Sequence, residues 1–330
     1  MSRIRYVLSR SVQTVALLFL ILTFLFFFFR MLPGSYLDIL AFEGASEASV
    51  EALREKWGLN EPLYVQYYRY VINFVTGDVG MSLQYRVPVW EFVRMKIFNS
   101  FILVGPAITC SYILGIAVGG YTGSQRGSKS EKYGLIPFIM TGSFPSFITA
   151  IIAIIVFAGW LNIVPTSGMF GFDNMYTGDE FAWWRAYFSA DFAIHYALPF
   201  LTVVARYTYL PALVMRTNVV EVMGQDFFFY HRMTGLPGGK RLRRLINHAI
   251  LPVVTLYPIS MTRAIGGLIV IEMVFNWPGI GYTLVQAVFA RDFPVVQFVF
   301  FLVAAFVVVS NFVVDILYGY IDPRVSIDSS

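Results

Sequence analysis

The sequence predicts an all-α integral membrane protein with six transmembrane helices, and two observations carry that reading. Hydrophobic residues make up 57% of the 330, charged residues 13%, and the mean hydropathy is +0.66, outside the range of soluble domains. The apolar character also comes in continuous runs of about 20 residues, the length a helix needs to cross the hydrocarbon core. A barrel would show strict alternation instead.

The runs fall at about 11–31, 99–122, 134–160, 193–215, 251–275 and 295–320. Arg3, Arg5 and Arg10 precede the first, as in a signal peptide. That run is long for a signal sequence, and its exit through Arg30, Met31, Leu32 and Pro33 lacks a small-x-small cleavage site, so it reads as a retained span. An even number of crossings puts both termini on one side. The connection 123–133 carries Arg126, Lys129 and Lys132 against Glu131, and the segment Arg216–His248 is more basic still. The connection 161–192 carries Asp173, Asp179, Glu180 and Asp191 against Arg185 alone. Short basic loops stay in the cytoplasm, so the termini and both basic loops are expected inside.

Four parts follow: 1–32, a cytoplasmic N-terminus with the first span; 33–98, an extracytoplasmic helical insertion; 99–320, a five-span core with a cytoplasmic loop at 216–250; and a cytoplasmic tail, 321–330. The six cations of the insertion do not oppose this, because loops beyond about 60 residues translocate largely regardless of charge. Within it, Ser49 to Trp57 reads as a short helix capped by Ser46 or Ser49 and ended by Gly58. Pro62 opens a second helix. There Leu63, Tyr67, Tyr70, Val71 and Phe74 recur at helical spacing, and Gly77-Asp78 closes it; its apolar face is expected to pack on the membrane domain. The Phe26–Phe29 run reads as lipid-facing bulk. Cys110 lies in an apolar run and reads as a small buried hydrophobe. The excess of cations, net +4, is a topology signal rather than a nucleic-acid footprint.

Catalytic and metal motifs are missing from the sequence. His195, His231 and His248 are far apart, no HExxH or Cys/His spacing occurs, and there is no GxSxG. Gly239-Lys240 is a near miss for a phosphate-binding loop, but Thr234 and Arg241 stand where that motif needs glycine and a hydroxyl residue. If ATP drives this chain, another chain must bind it. Ionisable residues inside spans are the remaining candidates, since a charge in hydrocarbon costs several kcal/mol unless paired or wet. Arg206 sits near the middle of the fourth run, Arg263 and Glu272 in the fifth, and Asp315 in the sixth. Arg206, Arg263 and Glu272 are candidates for lining a pathway. Glu272 and Asp315, toward span ends, also suit structural pairs, and Gly266-Gly267, Gly115 and Gly119-Gly120 suit close helix approach. A self-sufficient ion-coupled carrier built on these charges is the alternative; it would need inverted repeats or broken helices around a central site, and no such symmetry is visible in the sequence.

Several motifs then line up along nearly the whole chain: Leu53 to Tyr67, Gly77-Asp78-Val79-Gly80-Met81-Ser82, Phe144-Pro145-Ser146-Phe147, Glu272 to Gly281, Arg291-Asp292-Phe293-Pro294 and Asp322-Pro323-Arg324. In order and spacing they resemble the six-span permease subunits of bacterial and archaeal ABC importers for di- and oligopeptides, with nickel importers as close relatives. The resemblance implies an importer half that pairs with a homologous second permease and two ATPase subunits. ATP and magnesium would sit on the ATPases, and an extracytoplasmic binding protein would deliver the solute. It also implies a coupling helix seated on the ATPase, over Asp226, Phe228, Phe229, Tyr230, His231, Gly235 and Leu236. Lys240, Arg241, Arg243 and Arg244 would then lie along anionic headgroups. The sequence departs from the family at Phe227 to His231, bulky and aromatic where small or polar residues are usual.

Overall fold

The computed structural model describes residues 3–31, 46–56, 58–171, 183–226, 228 and 233–321. Its helices are α1 Arg3–Met31, α2 Glu47–Lys56, α3 Leu63–Thr76, α4 Val89–Ser124, α5 Lys129–Tyr133, α6 Ile136–Ser143 and α7 Ser146–Ala153, which continues in π-helical form over Ile154–Trp160. After a 3-10 turn at Trp183–Phe188 come α8 Ala190–Met223, α9 Gly238–Ala249, α10 Leu251–Thr255, α11 Tyr257–Val274, α12 Ile280–Phe289 and α13 Phe293–Ile321. Among the described residues the β structure is one isolated bridge, Met81 to Pro88. Among the described residues, five helical stretches are long and apolar enough to cross a membrane, and α5–α7 make a sixth crossing if the bent pair counts as one. The protein is an all-α integral membrane protein.

The third expected span, 134–160, is not one straight helix: its halves are bent by 108°. Proline disfavours the helical conformation at the residue before it, and Phe144 is extended at φ −77°, ψ 148°, while Pro145 caps the next helix. The second span also begins earlier than expected, because α4 starts at Val89, ten residues inside the segment assigned to the insertion.

The chain divides into two compact units. In the unit formed by Met1–Phe98 and Gly279–Ser330, α1 packs along α13. Phe26 and Phe29 are buried, whereas Phe27 and Phe28 are exposed. The expectation of lipid-facing bulk therefore holds for only half of that run. Leu22, Leu25, Phe26 and Phe29 recur at the three- and four-residue steps of one helix face, so the run straddles two faces. Arg10 pairs with Asp315 at 3.5 Å. Ser46 caps α2 by accepting from the Ser49 amide. α3 starts after Pro62 and ends at Gly77, whose φ of +90° lets its amide return to Phe74 and that of Asp78 to Asn73. The apolar face of α3 packs as expected: Tyr67 and Tyr70 lie 5.2 and 5.3 Å from Phe26, and Phe74 lies 4.5 Å from Phe301.

The unit Asn99–Pro278 is organised by α4 and α8. Gly115, Gly119 and Gly123 line one face of α4 at four-residue steps. A Cβ on Gly119 would lie 2.2 Å from the Ala212 carbonyl oxygen, and one on Gly123 2.9 Å from that of Arg216. Backbones thus meet directly, the contact small residues permit between membrane helices. Pro106 removes the amide that would reach the Ile102 carbonyl. Tyr196 supplies the donor instead, at 2.9 Å, so the proline is tolerated inside α4. Cys110 is half-buried and lines an open apolar cleft with Phe101, Pro106 and Tyr257.

Candidate functional site

The basic segment expected to couple to an ATPase hangs from the end of α8. After Gly224 the chain turns, with the Phe228 amide donating to the Gln225 carbonyl. Asp226 is exposed, whereas Phe228 is half-buried and packs on the hydrophobic core of its unit. Phe229, Tyr230 and His231 lie outside the described residues. Gly235 takes φ +66° with open space where a side chain would project, a conformation costly for any other residue type. Leu236 is half-buried, and Pro237 caps α9.

α9 is strongly two-faced. Leu245 and Ala249 are buried, the Ile246 side chain reaches Gly120 of α4, and Asn218 of α8 donates to the Ala249 carbonyl at 3.2 Å. Lys240, Arg243 and Arg244 are exposed on the other side, and Arg241 is half-buried. Leu251 opens the next helix with Pro252 in its first turn, where a missing amide costs nothing.

A second polar contact stands beside this segment. Ser128 caps α5, its hydroxyl accepting from the Glu131 amide. The Glu131 carboxylate accepts from the Gly127 amide at 2.7 Å and pairs with Arg216 of α8 at 3.0 Å. The Gly127 hydrogen bond first, then Arg216, holds the Glu131 carboxyl below the ordinary carboxylate range.

The three mid-span candidates part company. Glu272 is fully buried and accepts from the Ser100 hydroxyl. Arg263 is exposed and Arg206 half-buried. The Arg206 guanidinium lies 5.8 Å from the ring centre of its neighbour Tyr207, whose hydroxyl is 3.5 Å from the backbone carbonyl oxygen of Arg263.

Two polar clusters were hidden in the sequence. Asn99 donates to the Pro278 carbonyl and accepts from Tyr187, and its carbonyl accepts from the Trp277 indole, at 2.9, 2.6 and 2.9 Å. Burial pushes the Tyr187 phenol up to about 12. In the other unit Asp292, nearly inaccessible, accepts from the Ser82 hydroxyl and from the Leu83 and Gln84 amides. The motifs at Gly77–Ser82, Glu272–Gly281 and Arg291–Pro294 hold members of both clusters, but no local pattern paired them. Among the described residues no group of three His, Cys, Asp or Glu side chains could hold a metal ion.

Helices long and apolar enough for five or six crossings among the described residues define a multi-pass membrane protein. The chain belongs to the family described as binding-protein-dependent transport system inner membrane component, whose profile matches residues 111–327; the profile of that family's N-terminal region matches residues 3–93. It is 31% identical over 323 residues to the glutathione transport system permease protein GsiC of Escherichia coli strain K12, covering 98% of this chain and 99% of that protein. The Shigella boydii serotype 4 protein of the same name is 30% identical over the same length. This chain is thus a multi-pass permease subunit of an ABC importer in the cytoplasmic membrane, a transport subunit and not an enzyme. Its family works with a partner permease, an ATPase and a binding protein.

Proposed function

We propose that this chain forms half of the path for a small peptide, pairs with one homologous permease above two ATPase subunits, and couples to them through the 216–250 segment. ATP and magnesium would bind the ATPases. The full-length likeness to permeases named for glutathione supports a peptide-like solute. The carrying observation is the mounting of the loop: Asp226 and Gly235 face outward while Leu245, Ala249 and Asn218 fasten α9 to α8. A load on the loop then reaches the spans as rigid-body movement.

The bridge from Glu131 to Arg216 supports one side for the 123–133 and 216–250 loops, the cytoplasmic side by charge, with the termini there and 33–98 across the membrane. Asp226, Gly235 and Leu236, with Phe229, Tyr230 and His231, form the docking surface, and Phe228 fixes the loop from within. Lys240, Arg243 and Arg244 meet anionic headgroups. Arg206 and Arg263 line the path, and Glu272, enclosed on Ser100, braces it.

The test is co-purification of the assembled importer in mild detergent. Leu236→Asp should reduce recovery of the ATPase subunits at least about tenfold, since a buried unpaired charge costs several kcal/mol. Undiminished recovery with that variant and with Asp226→Lys rejects the docking assignment.

A further inference from the structure

Arg206 and Arg263 occupy the centres of their spans. In α8 (Ala190–Met223), 16 residues precede Arg206 and 17 follow it; in the apolar stretch Leu251–Val274, 12 precede Arg263 and 11 follow. A guanidinium at the bilayer centre costs roughly 2.5–3.5 kcal/mol on insertion scales. From there, headgroups on either side are about 15 Å away, so snorkelling gives the least relief. Among the described residues neither arginine has a carboxylate partner.

The surroundings are open on the Arg263 side. Ala264, Leu268 and Ile271 mark the buried face of α11, and Arg263 projects from another. Gly266, three residues on, is exposed, with nothing within 4 Å of where a Cβ would stand. Tyr207, the neighbour of Arg206, reaches the backbone of α11 here, its hydroxyl 3.5 Å from the Arg263 carbonyl oxygen and 3.0 Å from the Cβ position of Gly267. Cations on two helices that meet at this depth, one of them beside an open surface, are stable where water and an anion reach them. A guanidinium also presents paired donors that match a carboxylate.

We propose that Arg206 and Arg263 form an anion-selective station in the path and hold a carboxylate of the passing solute, so that the transported peptides carry an exposed acidic group. This rests on the path reading above. The assembled importer, in proteoliposomes and carrying Cys110→Ala with Gly266→Cys, tests it with two thiol reagents, an anionic sulfonatoethyl and a cationic trimethylammonium-ethyl methanethiosulfonate. Each rate is normalised to that with a free thiol. One-sign clefts concentrate counter-ions about 10-fold or more, so the anionic reagent should be favoured about tenfold. That preference should fall to parity with Arg206→Gln or Arg263→Gln and persist with Arg263→Lys. Equal normalised rates, or a cation preference, overturn the anion station and leave the path reading standing. Absence of reaction with both reagents places Gly266 in lipid and overturns both.

Discussion

Replacing Gly119 with alanine drives a methyl group into the backbone of α8. The new Cβ would lie 2.2 Å from the Ala212 carbonyl oxygen and 2.9 Å from the Met215 Cβ. Even close C···O contacts stay at about 3.3 Å or more, so the helices must part by about 1 Å along a seam that also holds Gly115 on Pro211 and Gly123 on Arg216. Such overpacking costs about 1–3 kcal/mol. The intrinsic gain of alanine over glycine in a helix, about 0.5–1 kcal/mol, offsets only part of it. Gly266→Ala is the matched control: it receives the same helical gain with nothing in the way. Thermal unfolding of the assembled importer in detergent, followed by loss of monodispersity, should place Gly119→Ala several degrees below wild type and Gly266→Ala at or above it. If Gly119→Ala melts with the control, direct backbone contact between α4 and α8 is refuted.

Glu272→Ala should destabilise the Asn99–Pro278 unit by about 2–3 kcal/mol, because the Ser100 hydroxyl and its neighbours lose a buried acceptor; Ser100→Ala should cost less, read by the same melting assay. Asp292→Ala should free the Ser82–Gln84 turn, whose hydroxyl and amides it accepts, and limited proteolysis should then cut near Gln84 at least about tenfold faster for a loss of about 1.4 kcal/mol in local opening.

Hydropathy located the crossings because each run sums over about 20 residues, but such a sum is blind to direction. It could not see the 108° turn at Phe144 and Pro145, where both arms are apolar. Local chemistry did better with ends: Ser46, Pro62 and Gly77 cap or close helices by rules that act within four residues. The Phe26–Phe29 run was misread in part because lipid and protein interior favour the same side chains; only the step of three and four separates them. Glu272 was visible as an ionisable residue in a span, but its partner Ser100 is 172 positions away. No local rule pairs them. For Arg206 and Arg263, mid-span position was legible, and the approach of Tyr207 to the Arg263 backbone was not.

The seam and the loop together constrain how force can pass through this subunit. Ala212 and Arg216 present backbone carbonyls into the notches left by Gly119 and Gly123, one helical turn apart. Sliding α8 by one residue, a rise of about 1.5 Å, would carry those carbonyls out of the notches and against neighbouring side chains. Rolling or sliding is therefore opposed by hard contacts, whereas moving the pair as one body breaks none of them. α9 travels with the pair because Leu245, Ala249 and the Asn218 hydrogen bond fix it to α8. Arg206 lies in the same continuous helix, so a displacement applied near Asp226 must also reposition the cation at mid-span. On the proposed assignment, coupling and solute contact are joined through α8, and a change that softens the seam should weaken their linkage before it weakens either site alone.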